Sequence, residues 1–441
     1  MSNYKHLYWI IFVATNGGLL FGLNIAGISG AVNSIQSFFN LNDISLGIVV
    51  SSLIIGCLLG VSSVWYFIEK YGRKKVIIFT SILFAVSSLG CVFAQSPILL
   101  MIFRLIGGIG VGAVSVLGPI YISEISPPEK RGKLVSLHQF AIVTGILLAY
   151  IFNYFFIDIA NVWRYMLGVP FIFSIIFMIL ILTSLPESPR WLIAKSEKLK
   201  AFEVLKKAHG SALAKDEVKE IENSLSSKTK KISFKDIFKG NIGKVVLLGI
   251  LLATFQQLVG INAVINYAPI IFEKTGVNTD IALLQSIFIG IVNFLATIIA
   301  IWFIDSKGRK PLLIWGAIGM TLTLAYISYG FAFNVSNIGI LVAILSYIAF
   351  FAASFAPVLG VITSEIFSNH IRAVAMSITG TANWIFTFIV VQFSPYILNQ
   401  FGGAILFGIF AICSLLALIF VKIWIPETKG KSLEEIEKEL F

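Results

Sequence analysis

The sequence contains 441 residues, of which 57% are hydrophobic and only 12% carry a charged side chain. Apolar runs of about 20 residues recur along the whole chain, which is typical of a helical protein that crosses a membrane many times rather than of a soluble protein with several domains. The formal net charge of +11 would suit a nucleic-acid partner. We expect none, because the basic residues are concentrated in alternate loops between the apolar runs.

The apolar runs predict an all-α membrane protein with twelve transmembrane helices. Their expected bounds are 8–30, 46–68, 76–94, 98–122, 134–156, 165–185, 245–272, 281–304, 311–333, 338–363, 374–398 and 403–425. The three cysteines all lie within these runs, where they indicate packing rather than a disulfide framework or a metal site. We therefore expect no metal and no cofactor.

Lysine and arginine are abundant in every second loop. Thirty of the 33 basic residues lie in these loops or at the chain ends, whereas the opposite loops contain only Arg164 and Lys274, and Arg104 falls within a predicted helix. By the positive-inside rule the basic loops are cytoplasmic. The sequence therefore predicts a multi-pass protein of the cell membrane, plasma or inner, with both termini in the cytoplasm.

The longest polar segment, 186–244, separates the predicted helices into two groups of six. It contains no glycine-rich nucleotide loop and no metal-ligand spacing, so we interpret it as a cytoplasmic linker with short charged helices. The expected organisation is a first six-helix half over 1–185, the linker over 186–244, a second half over 245–425 and a short cytoplasmic tail over 426–441.

Three charged motifs occur twice in the same order. The stretch 69–75 returns at 305–310, a glutamate and an arginine seven residues apart return at 365 and 372, and Pro-Glu at 186–187 returns at 426–427. The near-constant offset predicts two pseudo-symmetric halves that arose by duplication and lie in parallel orientation in the membrane.

We expect these charges to form a cytoplasmic gate. All of them lie at cytoplasmic helix ends, where ion pairs would hold the outward-open state and break when the protein opens inward. Simple topological charge is the alternative, because isolated exposed pairs contribute little stability. The predicted gate residues are Glu69, Arg73, Glu124, Arg131, Glu187, Arg190, Asp305, Arg309, Glu365, Arg372 and Glu427.

Three carboxamides, Gln256, Gln257 and Asn262, lie within seven residues of the seventh predicted helix. An unpaired amide in hydrocarbon costs several kcal/mol, so these groups should face protein or a water-filled cavity. They offer both hydrogen-bond donors and acceptors, which suits a neutral polyol. Hydrogen bonding between helices is the alternative interpretation.

Together with the duplicated motifs, these residues resemble the sugar porter family of the major facilitator superfamily. The resemblance also rests on Arg104-Leu-Ile-Gly-Gly-Ile-Gly110, on Pro-Glu-Ser-Pro-Arg190 and on Pro-Glu-Thr-Lys-Gly430, and it covers essentially the whole chain. It implies a monosaccharide carrier that works by alternating access, with a sugar bound between the halves. The implied substrate-binding residues are Gln139, Gln256, Gln257, Asn262, Asn293, Asn383 and Trp384.

The chain departs from the family pattern on the side of the second half. Gly360 stands where the family usually has tryptophan, Ala352 replaces a common acidic residue, and Asn266 replaces the first tyrosine of a pair. These changes predict a roomier and more polar pocket and leave the sugar, hexose or pentose, open.

We expect facilitated diffusion, with a proton-coupled symporter as the alternative. Asn24 stands where proton-coupled relatives of this family carry aspartate, and no acid falls inside a predicted helix. A proton carrier needs a titratable group within the bundle, and Arg104, which we expect near Asn24, cannot release its proton. His138 is the one alternative titrating group.

Two other functions are alternatives for a protein of this kind. A membrane sugar sensor would resemble a porter with a long cytoplasmic tail, and a carrier of a non-sugar solute such as a cationic drug would need an acid in its pocket. We expect neither, and no enzyme, since no catalytic set of residues is evident. The expected partners are a small neutral sugar and the lipid bilayer, and the protein is expected to work as a monomer.

Overall fold

A computed structural model describes residues 3–127, 130–226, 240–367 and 371–429. Within these ranges the secondary structure is entirely helical. The α-helices are α1 (Asn3–Ala26), α2 (Val32–Phe39), α3 (Asp43–Tyr71), α4 (Arg73–Phe93), α5 (Pro97–Ile125), α6 (Arg131–Phe155), α7 (Val162–Ser184), α8 (Pro189–Ala194), α9 (Lys198–His209), α10 (Ser211–Ser226), α11 (Gly240–Leu258), α12 (Ile261–Glu273), α13 (Thr279–Lys307), α14 (Arg309–Ala332), α15 (Asn337–Ala353), α16 (Phe355–Ile366), α17 (Arg372–Gln400) and α18 (Gly402–Trp424). A 3-10 turn, Ser29–Ala31, joins α1 to α2.

The described helices provide twelve segments that are long and apolar enough to cross a membrane. Numbered as spans 1 to 12, they are Lys5–Phe39, Asp43–Tyr71, Arg73–Phe93, Pro97–Ile125, Arg131–Phe155, Val162–Ser184, Ile242–Glu273, Thr279–Ala300, Arg309–Ala332, Asn337–Thr363, Val374–Gln400 and Gly402–Trp424. Each predicted span is present. Many side chains on the outside of the bundle are large and apolar, as expected for a surface covered by lipid.

Span 1 is longer than the sequence predicts. The chain continues through the 3-10 turn and α2 to Phe39, and a left-handed Asn40 ends it. Polar residues interrupt the hydrophobic pattern in α2, so the sequence predicts an earlier end of the span. These residues have specific partners. Asn33 donates to the Glu273 carboxylate, and Gln36 donates to the Asp43 carboxylate.

The two halves have the same internal packing. In the first half α3 packs on α5, α1 on α6 and α4 on α7; in the second, α13 packs on α15, α11 on α17 and α14 on α18. In span numbers each pair recurs six spans later. The contacts between halves are also symmetric, with α3 against α17 and α6 against α13. The chain therefore has the two pseudo-symmetric six-helix halves of the major facilitator fold.

Helices α8, α9 and α10 form a small cluster beneath the first half. The Trp191 indole donates to the Glu69 carbonyl, and His209 bridges the Ile125 carbonyl and the Glu217 carboxylate. We call the end of the bundle that carries this cluster the linker end and the opposite end the far end. Predicted linker residues 227–239 and tail residues from 430 onward lie outside the described ranges.

Hydrogen bonds between the halves, in the described part of the chain, lie toward the far end. Gly47 also packs closely here, since a Cβ on it would lie 2.3 Å from the Gln392 carbonyl oxygen. The bonded pairs are Asn33 with Glu273, Ser51 and the Ile44 carbonyl with Gln392, Asp43 with Asn399, and Tyr150 with the Ile265 carbonyl. The far end is thus closed by direct contacts between the halves.

Candidate functional site

A break in span 7 positions the carboxamides that the sequence singled out. Helix α11 ends at Leu258, and α12 begins after Gly260, which has a left-handed φ of 90°. Glycine is required there for two reasons: L side chains rarely adopt this conformation, and a Cβ would lie 2.4 Å from the Phe410 ring. The break places Gln257, near the end of α11, beside Asn262, in the first turn of α12.

Four of the predicted residues form one hydrogen-bonded cluster. Gln256 and Gln257 are nearly buried on span 7, and Asn262 and Asn383 are half-buried, the latter on span 11. The bonds are Asn262 Nδ2 to Gln257 Oε1 (2.7 Å), Asn383 Nδ2 to Gln256 Oε1 (2.8 Å), Gln257 Nε2 to Gln256 Oε1 (3.2 Å), Gln257 Nε2 to Asn383 Oδ1 (3.3 Å) and Gln256 Nε2 to the Phe355 carbonyl (2.7 Å). Such a cluster presents donors and acceptors without a net charge.

The other predicted binding residues lie on neighbouring spans. Gln139 on span 5 and Trp384 on span 11 are half-buried, and Asn293 on span 8 is 7% exposed. No hydrogen bond in the described structure joins Gln139 or Asn293 to the cluster. A sugar that touched all of these residues would have to fill the space between them.

Two more residues lie at this site, although the sequence predicts a contact for neither of them. The Phe21 ring of span 1 lies 6.0 Å from the Trp384 indole, measured between ring centres, and this contact crosses between the halves. Asn266 is 4% exposed and donates to the Asn262 carbonyl, which supports the first turn of α12. Asn266 was identified only as a departure from the family; its four-residue spacing from Asn262 was the available signal.

Asn24 and Arg104 line the same cavity of about 10 Å³, roughly the space of one water molecule. Arg104 is 3% exposed, and its guanidinium donates to the carbonyls of Val49 and Val50 at 3.0 Å each. Asn24 donates to the Leu20 carbonyl. Backbone carbonyls of span 2 therefore solvate the buried charge, and no Asp or Glu side chain takes part in the contacts described for it.

The charged motifs at the linker end have the same geometry in both halves. Arg73 binds Glu124 through Nε (2.8 Å) and Nη2 (2.7 Å), and Arg309 binds Glu365 through Nε (3.2 Å) and Nη2 (2.9 Å). In each half a second carboxylate caps the helix that begins with the arginine. Glu187 accepts from the backbone N–H groups of residues 73 and 74, and Glu427 accepts from those of residues 309 and 310. These contacts lie within one half.

The remaining predicted gate residues form fewer described hydrogen bonds and ion pairs. Arg131 donates to the Ser123 carbonyl at 3.2 Å, and the side chains of Glu69 and Arg190 are exposed. The side chains of Asp305 and Arg372 lie outside the described part of the structure. None of the described ion pairs joins the two halves, so the gate between them stays a prediction.

Comparison with known proteins gives a consistent result. A sequence model of the family described as "Sugar (and other) transporter" matches residues 10–440. The D-xylose-proton symporter of Escherichia coli strain K12 is 38% identical, covering 99% of this chain and 96% of the relative. The arabinose-proton symporter of Bacillus subtilis strain 168 is 37% identical, covering 96% and 92%.

The fold is similar to a solved structure of the proton:xylose symporter XylE, of the major facilitator superfamily, bound to 6-bromo-6-deoxy-D-glucose. The TM-score is 0.84 with 37% identity, and all of both chains is covered.

The relatives bear on the expected coupling. Both are named as proton symporters. They fit the proton-coupled alternative better than facilitated diffusion, which they do not confirm. They do bear out the expectation of a sugar transporter rather than an enzyme. Because the family model and both relatives extend over nearly the whole chain, this protein is a member of the sugar transporter family.

Proposed function

We propose that this protein moves a neutral monosaccharide, a hexose or a pentose, across a cell membrane by alternating access. The observation that supports this most directly is the cluster of Gln256, Gln257, Asn262 and Asn383, at the break of span 7 in a membrane-embedded bundle. Hydroxyl groups can replace the amide–amide bonds of this cluster, and the rings of Phe21 and Trp384 offer apolar faces to a sugar. One chain supplies the whole site, so a monomer suffices.

We propose further that the linker end is cytoplasmic, with both termini on that side. The concentration of lysine and arginine at this end supports the orientation. Direct contacts between the halves at the far end then correspond to an inward-facing state. The proposed organisation is two six-helix halves, 1–185 and 245–425, joined by the linker 186–244 and followed by the tail 426–441.

Proton symport is the first candidate for coupling, because the relatives are named as proton symporters. The group that would take up the proton within the bundle is His138, next to Gln139. It is 3% exposed, and both ring nitrogens lack a hydrogen bond to the described protein. Imidazole is the side chain that changes charge near neutral pH.

Facilitated diffusion is the second candidate, and a specific observation favours it. Asn24 faces the same small cavity as Arg104, and neither group can exchange a proton at working pH. The acids with described contacts bind at the two ends of the bundle, as Glu124 and Glu365 do at the linker end and Glu273 and Asp43 do at the far end.

Uptake into liposomes that contain the pure protein tests both the sugar assignment and the coupling to protons. Labelled xylose, arabinose and glucose should enter, and unlabelled sugar should compete. An imposed pH difference should drive accumulation above the outside concentration if transport is proton-coupled, and His138→Gln should then abolish accumulation while leaving equilibration. Equilibration without accumulation would select facilitated diffusion. Absence of uptake for every monosaccharide would contradict the sugar assignment.

A further inference from the structure

A proline in span 7 leaves one backbone carbonyl without its usual partner. Pro269 lies inside α12 and has no N–H, so the carbonyl of Ile265, four residues earlier, cannot form the regular helical hydrogen bond. The hydroxyl of Tyr150 donates to this carbonyl at 2.9 Å. Tyr150 is completely buried, and its bond therefore replaces the missing one in a place that water does not reach.

The donor belongs to the other half of the protein. Tyr150 is on span 5, and it reaches α12 past span 8 at Gly290, where a Cβ would lie 3.0 Å from the Leu147 Cα and 3.1 Å from the Tyr150 ring. A larger residue at position 290 would push the two spans apart. The glycine thus permits the close approach on which the bond depends.

A second bond holds the other end of the same segment. Asn33, on α2 in the first half, donates to the Glu273 carboxylate at 2.7 Å, at the last residue of α12. The segment is therefore attached to the first half near its middle and at its far end. Its beginning follows Gly260, whose left-handed φ separates α12 from α11 and is readily adopted only by glycine.

The first turn of α12 carries part of the sugar site. Asn262 donates to Gln257 across the break at 2.7 Å. A movement of α12 about Gly260 would therefore displace Asn262 relative to the carboxamides of α11, and the position of α12 links closure of the far end to the geometry of the site.

We propose that Tyr150 is a positioning residue, and this proposal rests on the proposed transport function. The Tyr150 hydroxyl binds the Ile265 carbonyl that Pro269 leaves unpaired. This bond holds α12 against the first half while the far end is closed. The bond must break when the far end opens, since donor and acceptor then separate with their halves. Water that enters the opened path can solvate the carbonyl in that state.

The test is Tyr150→Phe, which removes the hydroxyl and keeps the ring. The matched control is Tyr347→Phe: Tyr347 is equally buried and donates at 2.8 Å to another carbonyl of span 7, that of Val259, but both partners belong to the second half. Distances between spin labels at the exposed residues Asp158 and Lys274 report opening of the far end.

Loss of one buried hydrogen bond should raise the ratio of far-end-open to far-end-closed molecules by about 5- to 10-fold in Tyr150→Phe. Tyr347→Phe should leave the ratio nearly unchanged. In transport, Tyr150→Phe should lower KM for sugar presented at the far side and raise it at the linker side, whereas general loosening of the fold would not move the two values in opposite directions. An unchanged distance distribution, or an equal shift in both variants, would overturn the proposal.

A third variant shows whether Tyr150 holds α12 against the first half or only supplies a hydrogen-bond donor to the Ile265 carbonyl. Pro269→Ala restores an N–H that can bind the Ile265 carbonyl within α12. Added to Tyr150→Phe, it should not restore the closed population, because it creates no bond between the halves; full restoration would reduce Tyr150 to a local role and overturn the proposal. The distances are recorded without sugar, so a failure of sugar uptake would contradict the proposed function while leaving this result intact.

Discussion

At the scale of single residues, the carboxamides of the cluster provide hydrogen-bond partners for one another. Gln256 binds Asn383 and the Phe355 carbonyl, and Gln257 binds Asn262. A sugar bound at the proposed site would have to replace these amide–amide bonds with its own, so the net gain per hydrogen bond would be modest. This exchange suits a carrier, which must release what it binds.

Replacing Gln256 tests the central member of the cluster. Gln256→Ala should weaken sugar binding by about 1–3 kcal/mol, or roughly 5- to 150-fold, because partners on two other spans lose their bond. Competition by unlabelled sugar in the uptake assay measures the affinity. Gln285→Ala is the control: Gln285 is an equally buried carboxamide on span 8, outside the cluster, and its loss should leave the affinity unchanged. Unchanged affinity in Gln256→Ala would remove Gln256 from the site.

Asn24 permits a second test at this scale. Asn24→Asp puts a titratable carboxyl into the cavity that Arg104 lines, which is the kind of group a proton pathway requires. Transport by this variant should acquire a pH dependence beyond that of the wild type, measured as uptake rate against external pH. Asn24→Ser, which is polar but does not titrate, should keep the wild-type profile. Identical profiles for all three proteins would show that position 24 does not influence coupling.

At the scale of elements, a glycine and a glutamate recur at the start of α4 and of α14. Gly72 and Gly308 have φ values of 91° and 95°, and a Cβ on them would lie 2.4 Å from the Glu187 carboxylate and 2.8 Å from that of Glu427. The left-handed turn brings each carboxylate onto the exposed N–H groups of the next helix, where the helix dipole favours negative charge.

Alanine at either glycine should therefore destabilise the fold. This positive-φ, extended backbone alone costs about 1–3 kcal/mol for a residue with a Cβ, and displacement of the carboxylate adds to that cost. We expect Gly72→Ala and Gly308→Ala each to lower the thermal unfolding temperature of the purified protein. Gly132→Ala is the control, since Gly132 lies in α6 and a Cβ there meets nothing within 4 Å. Equal unfolding temperatures for all three would refute this account.

At the scale of the whole molecule, the two halves meet along spans 2 and 11 and along spans 5 and 8. The ion pairs of the linker end remain within their halves while the far end is closed. We therefore expect pairing between the halves at the linker end only in the opposite state, when these helix ends come together.

Arg131→Ala tests this gate. Arg131 lies at the linker end of span 5, where its exposed side chain donates to the Ser123 carbonyl of its own half at 3.2 Å, a bond that it could exchange for a partner on the other half. Its removal should shift the population several-fold toward the linker-open state, measured as distances between labels on the linker ends of α6 and α13. Lys133→Ala, an exposed basic residue of the same turn, should change these distances little. No shift in Arg131→Ala would reduce the motif to topological charge.

The sequence alone determined the number of spans, the internal repeat and the four carboxamides that the fold brings into one cluster. Each depends on local information: the length of an apolar run, the spacing of a charged motif, or an amide that hydrocarbon cannot solvate. The extension of span 1 to Phe39 was not predicted, because Asn33 and Gln36 interrupt the apolar run. Only the structure shows that Glu273 and Asp43 bind these two side chains.

Tertiary structure decided the contacts between residues far apart in the chain. The sequence placed Arg104 near Asn24, but only the fold shows that the carbonyls of Val49 and Val50 solvate its charge, since backbone acceptors carry no signal in the sequence. In the same way, the sequence shows that Pro269 removes an N–H from α12. That Tyr150, about 120 residues away, supplies the missing donor follows only from the packing of one half against the other.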